Sequence, residues 1–77
     1  MRLYTQEFYE LFENQIAHSN FSLTTLKTFA TSPDDLIREI LARNPNTPKE
    51  VLIKMLNDKD EKVRLAAKES LDKKIKG

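Results

Sequence analysis

Hydrophobic residues in this chain come in short clusters of helical period, and each cluster is preceded by the same kind of polar punctuation. Phe8, Leu11, Phe12 and Ile16 recur at three- and four-residue spacing and predict an amphipathic helix from Thr5, its cap, to about His18. Ser19-Asn20 breaks it. Ser22 caps a second, shorter helix in which Leu23, Leu26, Phe29 and Ala30 share one face. Ser32-Pro33-Asp34-Asp35 is a start signal: serine caps, proline takes the first helical position, and acids fill the first turn. The third helix is expected from Pro33 to about Arg43, with Ile37, Ile40 and Leu41 inward and Leu36 on the flank. Asn44-Pro45 ends it, because proline disfavours helical geometry in the residue before it.

Thr47-Pro48-Lys49-Glu50 repeats the punctuation as a capping box, and Val51, Leu52, Met55 and Leu56 form the inner face of a fourth helix. Asp58 caps the last one, with Asp60 and Glu61 in its first turn. Val63, Ala66, Ala67, Ser70 and Leu71 lie on one side of that helix, and it frays into a basic tail over residues 73–77. The pattern is all-α.

Laid against itself so that Leu26 falls on Leu52, the chain brings Ser22–Asn44 onto Pro48–Ser70. At this repeat offset Asp34 meets Asp60 and Arg38 meets Arg64. Ser32 pairs with Asp58, Asp35 with Glu61, Ile37 with Val63 and Leu41 with Ala67, so caps, acids and core positions recur together. One domain follows, with a capping helix over residues 5–18, a first unit over 22–44 and a second over 47–72. Two units are fewer than the three that stacked repeats usually need for a continuous core. The aromatic first helix stands in for the missing neighbour.

The phrase Ala42-Arg43-Asn44-Pro45-Asn46-Thr47-Pro48, followed by Val51-Leu52, Asp58, Val63-Arg64 and Ala66-Ala67, resembles the leucine-rich repeat variant. That family uses units of about 24 to 26 residues, shorter than the roughly 40 of HEAT repeats, to which it is related in style. The resemblance covers residues 22–71. It implies a short right-handed α-solenoid of paired helices, in some members with one helix of each pair 3₁₀-like, and a role as a protein-binding scaffold. A founding member carries a cysteine-ligated iron–sulfur cluster; this chain has no cysteine, so that feature does not transfer.

Composition narrows the chemistry further. Without cysteine there is no disulfide, thiolate ligand or thiol nucleophile, and the single glycine is the last residue, which excludes glycine-rich phosphate loops. His18, the one histidine, falls at a helix end where its charged form suits the helix dipole, and no partner recommends it for catalysis. The chain is therefore expected not to be an enzyme and to need no cofactor or metal. No apolar run approaches the roughly 18 residues of a membrane span and no signal peptide opens the chain, so a cytoplasmic location is expected.

Net charge is only +1, but it is divided. The stretch 1–36 holds two basic and five acidic side chains, and the stretch 37–77 holds eleven and seven. Every aromatic lies at or before Phe29. This polarity would permit copies to join head to tail through the open repeat end.

Helix geometry singles out one surface. Glu39, Ala42 and Arg43 lie opposite the inner face of the third helix, and Leu65, Lys68, Glu69 and Asp72 opposite that of the last. In a solenoid these stripes would adjoin on the concave side. They make Glu39, Arg43, Leu65, Lys68, Glu69 and Asp72 the candidate protein-binding residues, with Leu65 the apolar exception. Arg38 and Arg64, each four positions after an aspartate, are expected to form ion pairs within a helix or between units. The competing function is nucleic-acid binding through Arg43, Lys62, Lys68, Lys73, Lys74 and Lys76. Seven acids interleaved with those cations argue against it, since dedicated binders are strongly basic.

Overall fold

A computed structural model describes residues 2–76, Lys76 by its backbone alone. Five helices follow in order: α1 Gln6–His18, α2 Leu23–Ala30, α3 Asp35–Arg43, α4 Lys49–Met55 and α5 Glu61–Lys76. All five are α-helical, and no strand occurs among the described residues. The radius of gyration, 11.5 Å, is about that of a compact domain of this length.

α3 is the central element. It packs against α1, α2 and α5, while α4 lies on α5 and α2, so α1, α3 and α5 form one row with α2 and α4 behind it. The core runs continuously from Tyr9, Phe12 and Ile16 through Leu26, Ile37, Ile40 and Leu41 to Val51, Leu52, Met55, Val63, Ala67 and Leu71. No buried side-chain nitrogen or oxygen among the described residues lacks a hydrogen-bond partner.

The helix starts differ from the sequence expectation in instructive ways. Asp34, not Ser32, caps α3: its Oδ1 accepts from the backbone N–H of Leu36 (2.9 Å) and Ile37 (3.2 Å). Ser32 instead accepts from the Asp34 N–H (3.1 Å) and so positions the cap. The same shift occurs at α5, where Asp60 Oδ1 accepts from Lys62 (3.0 Å) and Asp58 Oδ1 from Asp60 (2.9 Å). The Thr47–Glu50 capping box does not form. Pro48 occupies the cap position without a side-chain bond, and the buried Thr47 hydroxyl donates to the Leu41 carbonyl (2.8 Å). That bond gives a second donor to a carbonyl at the end of α3 that also accepts from the Asn44 N–H (3.3 Å).

On α1 the buried stripe is Tyr9, Phe12 and Ile16, while Phe8 and Leu11 stay exposed. Leu23 and Leu56, both expected on inner faces, are exposed as well, and α5 continues as helix through Lys76 where the sequence predicts fraying.

Hydrogen bonds recur at the same offset that carries Leu26 onto Leu52. Asn44 Nδ2 donates to the Ile16 carbonyl (3.0 Å), and Ser70 Oγ donates to the Ala42 carbonyl. Arg38 Nη1 donates to the Ser32 carbonyl (2.6 Å), and Arg64 Nη1 to the Asp58 carbonyl (2.7 Å). The aspartate caps of α3 and α5 follow the same offset. Each helix of the row is thus seated on its predecessor by a side chain that reaches a carbonyl near the predecessor's C-terminal end.

Candidate functional site

The outward face of the α1–α3–α5 row carries the sequence-derived residues. Arg43, near the end of α3, reaches Glu13 of α1 (Nη2 to Oε2, 3.3 Å) and Glu39 one turn earlier on its own helix (Nη1 to Oε2, 3.6 Å). Glu39 is half-buried and Arg43 exposed. On α5, Leu65, Lys68, Glu69 and Asp72 are all exposed, Leu65 to 54 %. The structure therefore brings Glu39 and Arg43 into one ionic cluster and sets Leu65 and Glu69 along the neighbouring helix. Lys68 is the repeat equivalent of Ala42, which is fully buried. The sequence places Ala42 on the outward stripe; it is covered because α5 packs onto α3 there.

Glu13 is the member that helix geometry within single units missed. It stands to Glu39 as Glu39 stands to Leu65, so extending the repeat offset back onto α1 would have found it. The row then reads glutamate, glutamate, leucine from one helix to the next.

The cations expected to contact nucleic acid are distributed differently. Arg43 is engaged by two carboxylates, whereas Lys62, Lys68, Lys73 and Lys74 are exposed along α5. The Lys76 side chain lies outside the described residues.

Two buried polar clusters hold the row together. Arg38 joins Asp58 (Nε to Oδ2, 3.0 Å) with side-chain exposures of 5 % and 8 %, linking α3 to the turn that leads into α5. Arg38 thus pairs across to the turn before α5, not with Asp34 at the start of its own helix. The second cluster surrounds Asp34. Its Oδ2 accepts from the Tyr9 hydroxyl and from the Leu3 N–H (2.9 Å), while the Tyr9 oxygen accepts from the N–H groups of Leu3 and Tyr4, both at 3.0 Å. One carboxylate therefore caps α3, anchors α1 and holds the segment before α1.

Burial of Asp34 would raise its pKa, but the bonds from Tyr9, Leu3, Ile37 and Leu36 outweigh it and leave the carboxyl below its ordinary value. Burial and the bond to Asp34 push the Tyr9 phenol up. Because folding lowers the Asp34 pKa, the unfolded chain binds the proton more readily. The stabilisation is complete above the ordinary value of 3.8 and is lost as pH falls through the lower folded one. In urea titrations between neutral and acidic pH, the stability gap between wild type and Asp34→Asn should stay constant down to about pH 4 and then shrink. A gap that widens on acidification would contradict this.

A groove of about 390 Å³ lies between the end of α1 and the α3–α4 turn, lined by His18, Asn20, Phe21, Asn44 and Asn46 among others. A more apolar groove of about 180 Å³ follows the α2–α4 seam beside Lys27, Ala30, Val51 and Met55. Among the described residues, no group of three or more histidine, cysteine or acidic side chains converges as a metal site, and no helix is long and apolar enough to cross a membrane.

No protein-family model matches the chain, and no curated protein and no solved structure is significantly similar to it.

Proposed function

We propose that the chain is a short right-handed α-solenoid in the style of the leucine-rich repeat variant, two helix–turn–helix units capped by α1. In this reading it is a cytoplasmic, non-enzymatic module that binds another protein, as an adaptor or an inhibitor, through the outward face of the α1–α3–α5 row. The repeat reading is supported by the shared offset of the caps, the arginine–carbonyl bonds and the bonds from Asn44 and Ser70.

The binding reading rests on Leu65. It holds the position that Glu13 and Glu39 hold on the preceding helices, yet it is apolar and 54 % exposed. Lys68, Glu69 and Asp72 follow it along the same stripe of α5, and the Glu13–Arg43–Glu39 cluster on the other helices of the row is joined by two ion pairs. An apolar anchor within a charged rim suits a protein partner: the anchor supplies affinity and the rim sets orientation and partner choice. Nucleic acid is the lesser reading, since Arg43 already has its carboxylates.

A photo-crosslinking residue placed at Leu65 in the source cell should give a discrete protein adduct, and one placed at the exposed Lys49 on α4 should not. Leu65→Asp should weaken binding of the captured partner by at least about tenfold. Equal labelling from both positions would remove the face as the site. Binding to random duplex DNA or RNA that is tight at about 50 mM salt and collapses by about 200 mM would favour the nucleic-acid reading instead.

A further inference from the structure

The two ends of the row expose opposite halves of a contact that the molecule makes internally. Ser70 bonds Ala42, so the Val63–Ala67–Ser70 stripe of α5 faces α3; Asn44 bonds Ile16, so the equivalent Ile37–Leu41–Asn44 stripe of α3 faces α1. Ile37 and Val63 are buried by those contacts. One repeat offset before Ile37 stands Leu11 on α1, and it is 58 % exposed.

The other side of the contact behaves in the same way. Arg38 and Ala42 of α3 are buried beneath the α4–α5 unit, whereas their successors Arg64 and Lys68 on α5 are half-buried and exposed. Lys27 and Ala30 of α2 line the seam with α4, whereas their successors Ile53 and Leu56 are exposed. One end therefore presents Leu11 and Phe8 with Glu7, and the other presents Ile53 and Leu56 with Arg64.

Charge identifies what fits between them. The charged side chains of α1 other than His18 are Glu7, Glu10 and Glu13, all acidic, while α5 at the far end carries six basic and three acidic side chains. Arg64 repeats the Arg38 geometry at its carbonyl, but no carboxylate among the described residues lies within ion-pair reach of it, where Arg38 has Asp58. Asp58 corresponds by the repeat offset to Ser32, and Ser32 in turn to Gln6, the neighbour of Glu7.

We infer that copies of this chain associate head to tail, with α1 of one copy seating Leu11 and Phe8 on the α4–α5 end of the next and Glu7 against Arg64. This rests on the repeat reading above but uses neither Leu65 nor the Glu13–Arg43–Glu39 face. Because the two surfaces differ, each copy keeps one free half, and association runs on past a dimer.

Sedimentation equilibrium from micromolar to millimolar chain tests it. The average mass of the wild type should climb beyond two protomers, less so in high salt, which screens the exposed charges. Leu11→Asp and the double variant Ile53→Asp/Leu56→Asp should each remain monomeric with wild-type circular dichroism. Mixed in equal amounts they should form a heterodimer that grows no further, since each retains one intact half. Glu7→Lys, a surface change that leaves the apolar contacts in place, should weaken wild-type association severalfold. A wild type that stays monomeric at millimolar concentration, a dimer that neither end's variants disturb, or a mixture that stays monomeric would each overturn the inference. The Leu65 crosslink should persist in Leu11→Asp, which separates this association from the concave-face reading.

Discussion

Arg38→Ala should cost about 3–5 kcal/mol of folding stability, whereas Arg64→Ala, at the corresponding position on α5, should cost about 1 kcal/mol. Both arginines donate to a carbonyl in the turn before their helix, at 2.6 and 2.7 Å. The difference is Asp58. Removing Arg38 leaves that carboxylate, 8 % exposed, without its cation inside the protein. The cost then includes an uncompensated buried charge, which is larger than the net worth of the pair itself. A chain of this size has a total stability of roughly 4–12 kcal/mol, so the loss is a large share of the whole. Urea denaturation followed by circular dichroism measures both variants. Replacing the pair together, as Arg38→Met with Asp58→Leu, should recover most of the loss. Equal effects at Arg38 and Arg64 would mean that the ion pair contributes little beyond the shared carbonyl bond.

Asp34→Ala should be comparably damaging, at about 3–4 kcal/mol. An ordinary cap is worth about 1 kcal/mol. Asp34 exceeds it because the same carboxylate also receives the Tyr9 hydroxyl and the Leu3 N–H, and alanine leaves those donors without their acceptor in a buried place. The effect should also be local. Amide exchange at Leu3 and within α1 should accelerate more than exchange within α4 and α5, because the Asp34 carboxylate bonds Leu3, Tyr9 of α1 and the first turn of α3. Asp34→Asn keeps an acceptor for the cap and should lose less than half as much. Uniform acceleration across all five helices would show that the cluster supports the whole domain rather than its first helix.

The five helices and their order were legible because each is announced locally, by an apolar stripe and by a capping residue before it. The errors arose where two residues competed for one local role and a distant contact decided. Ser32 and Asp34 both suit a cap, and Asp34 takes it while Tyr9, on a different helix, binds its second oxygen. Thr47 has the sequence context of a capping box, yet its hydroxyl satisfies Leu41 across the turn. On α1 the spacing admits Phe8 with Leu11 as readily as Tyr9 with Phe12, and the position of α3 selects the second pair. The candidate surface was legible in part. Glu39, Arg43, Leu65 and Glu69 follow from helix geometry, but Glu13 becomes visible only when the repeat offset is carried back onto a helix that lacks the rest of the unit. The asymmetry of the two arginines was invisible because the aspartate four residues before each is the same, and only packing reveals that Arg38 has Asp58 as a neighbour.

The bonds from Asn44 to Ile16 and from Ser70 to Ala42 also bear on how the row can deform. Each fixes the longitudinal position of one helix on the next. A slip by one turn, about 5.4 Å, would strand both the side-chain donor and the carbonyl it serves. Small tilts stretch the same bonds slightly without breaking them. The row should therefore yield as a leaf spring rather than as a ratchet, opening or closing its outward face by small rotations shared among its joints.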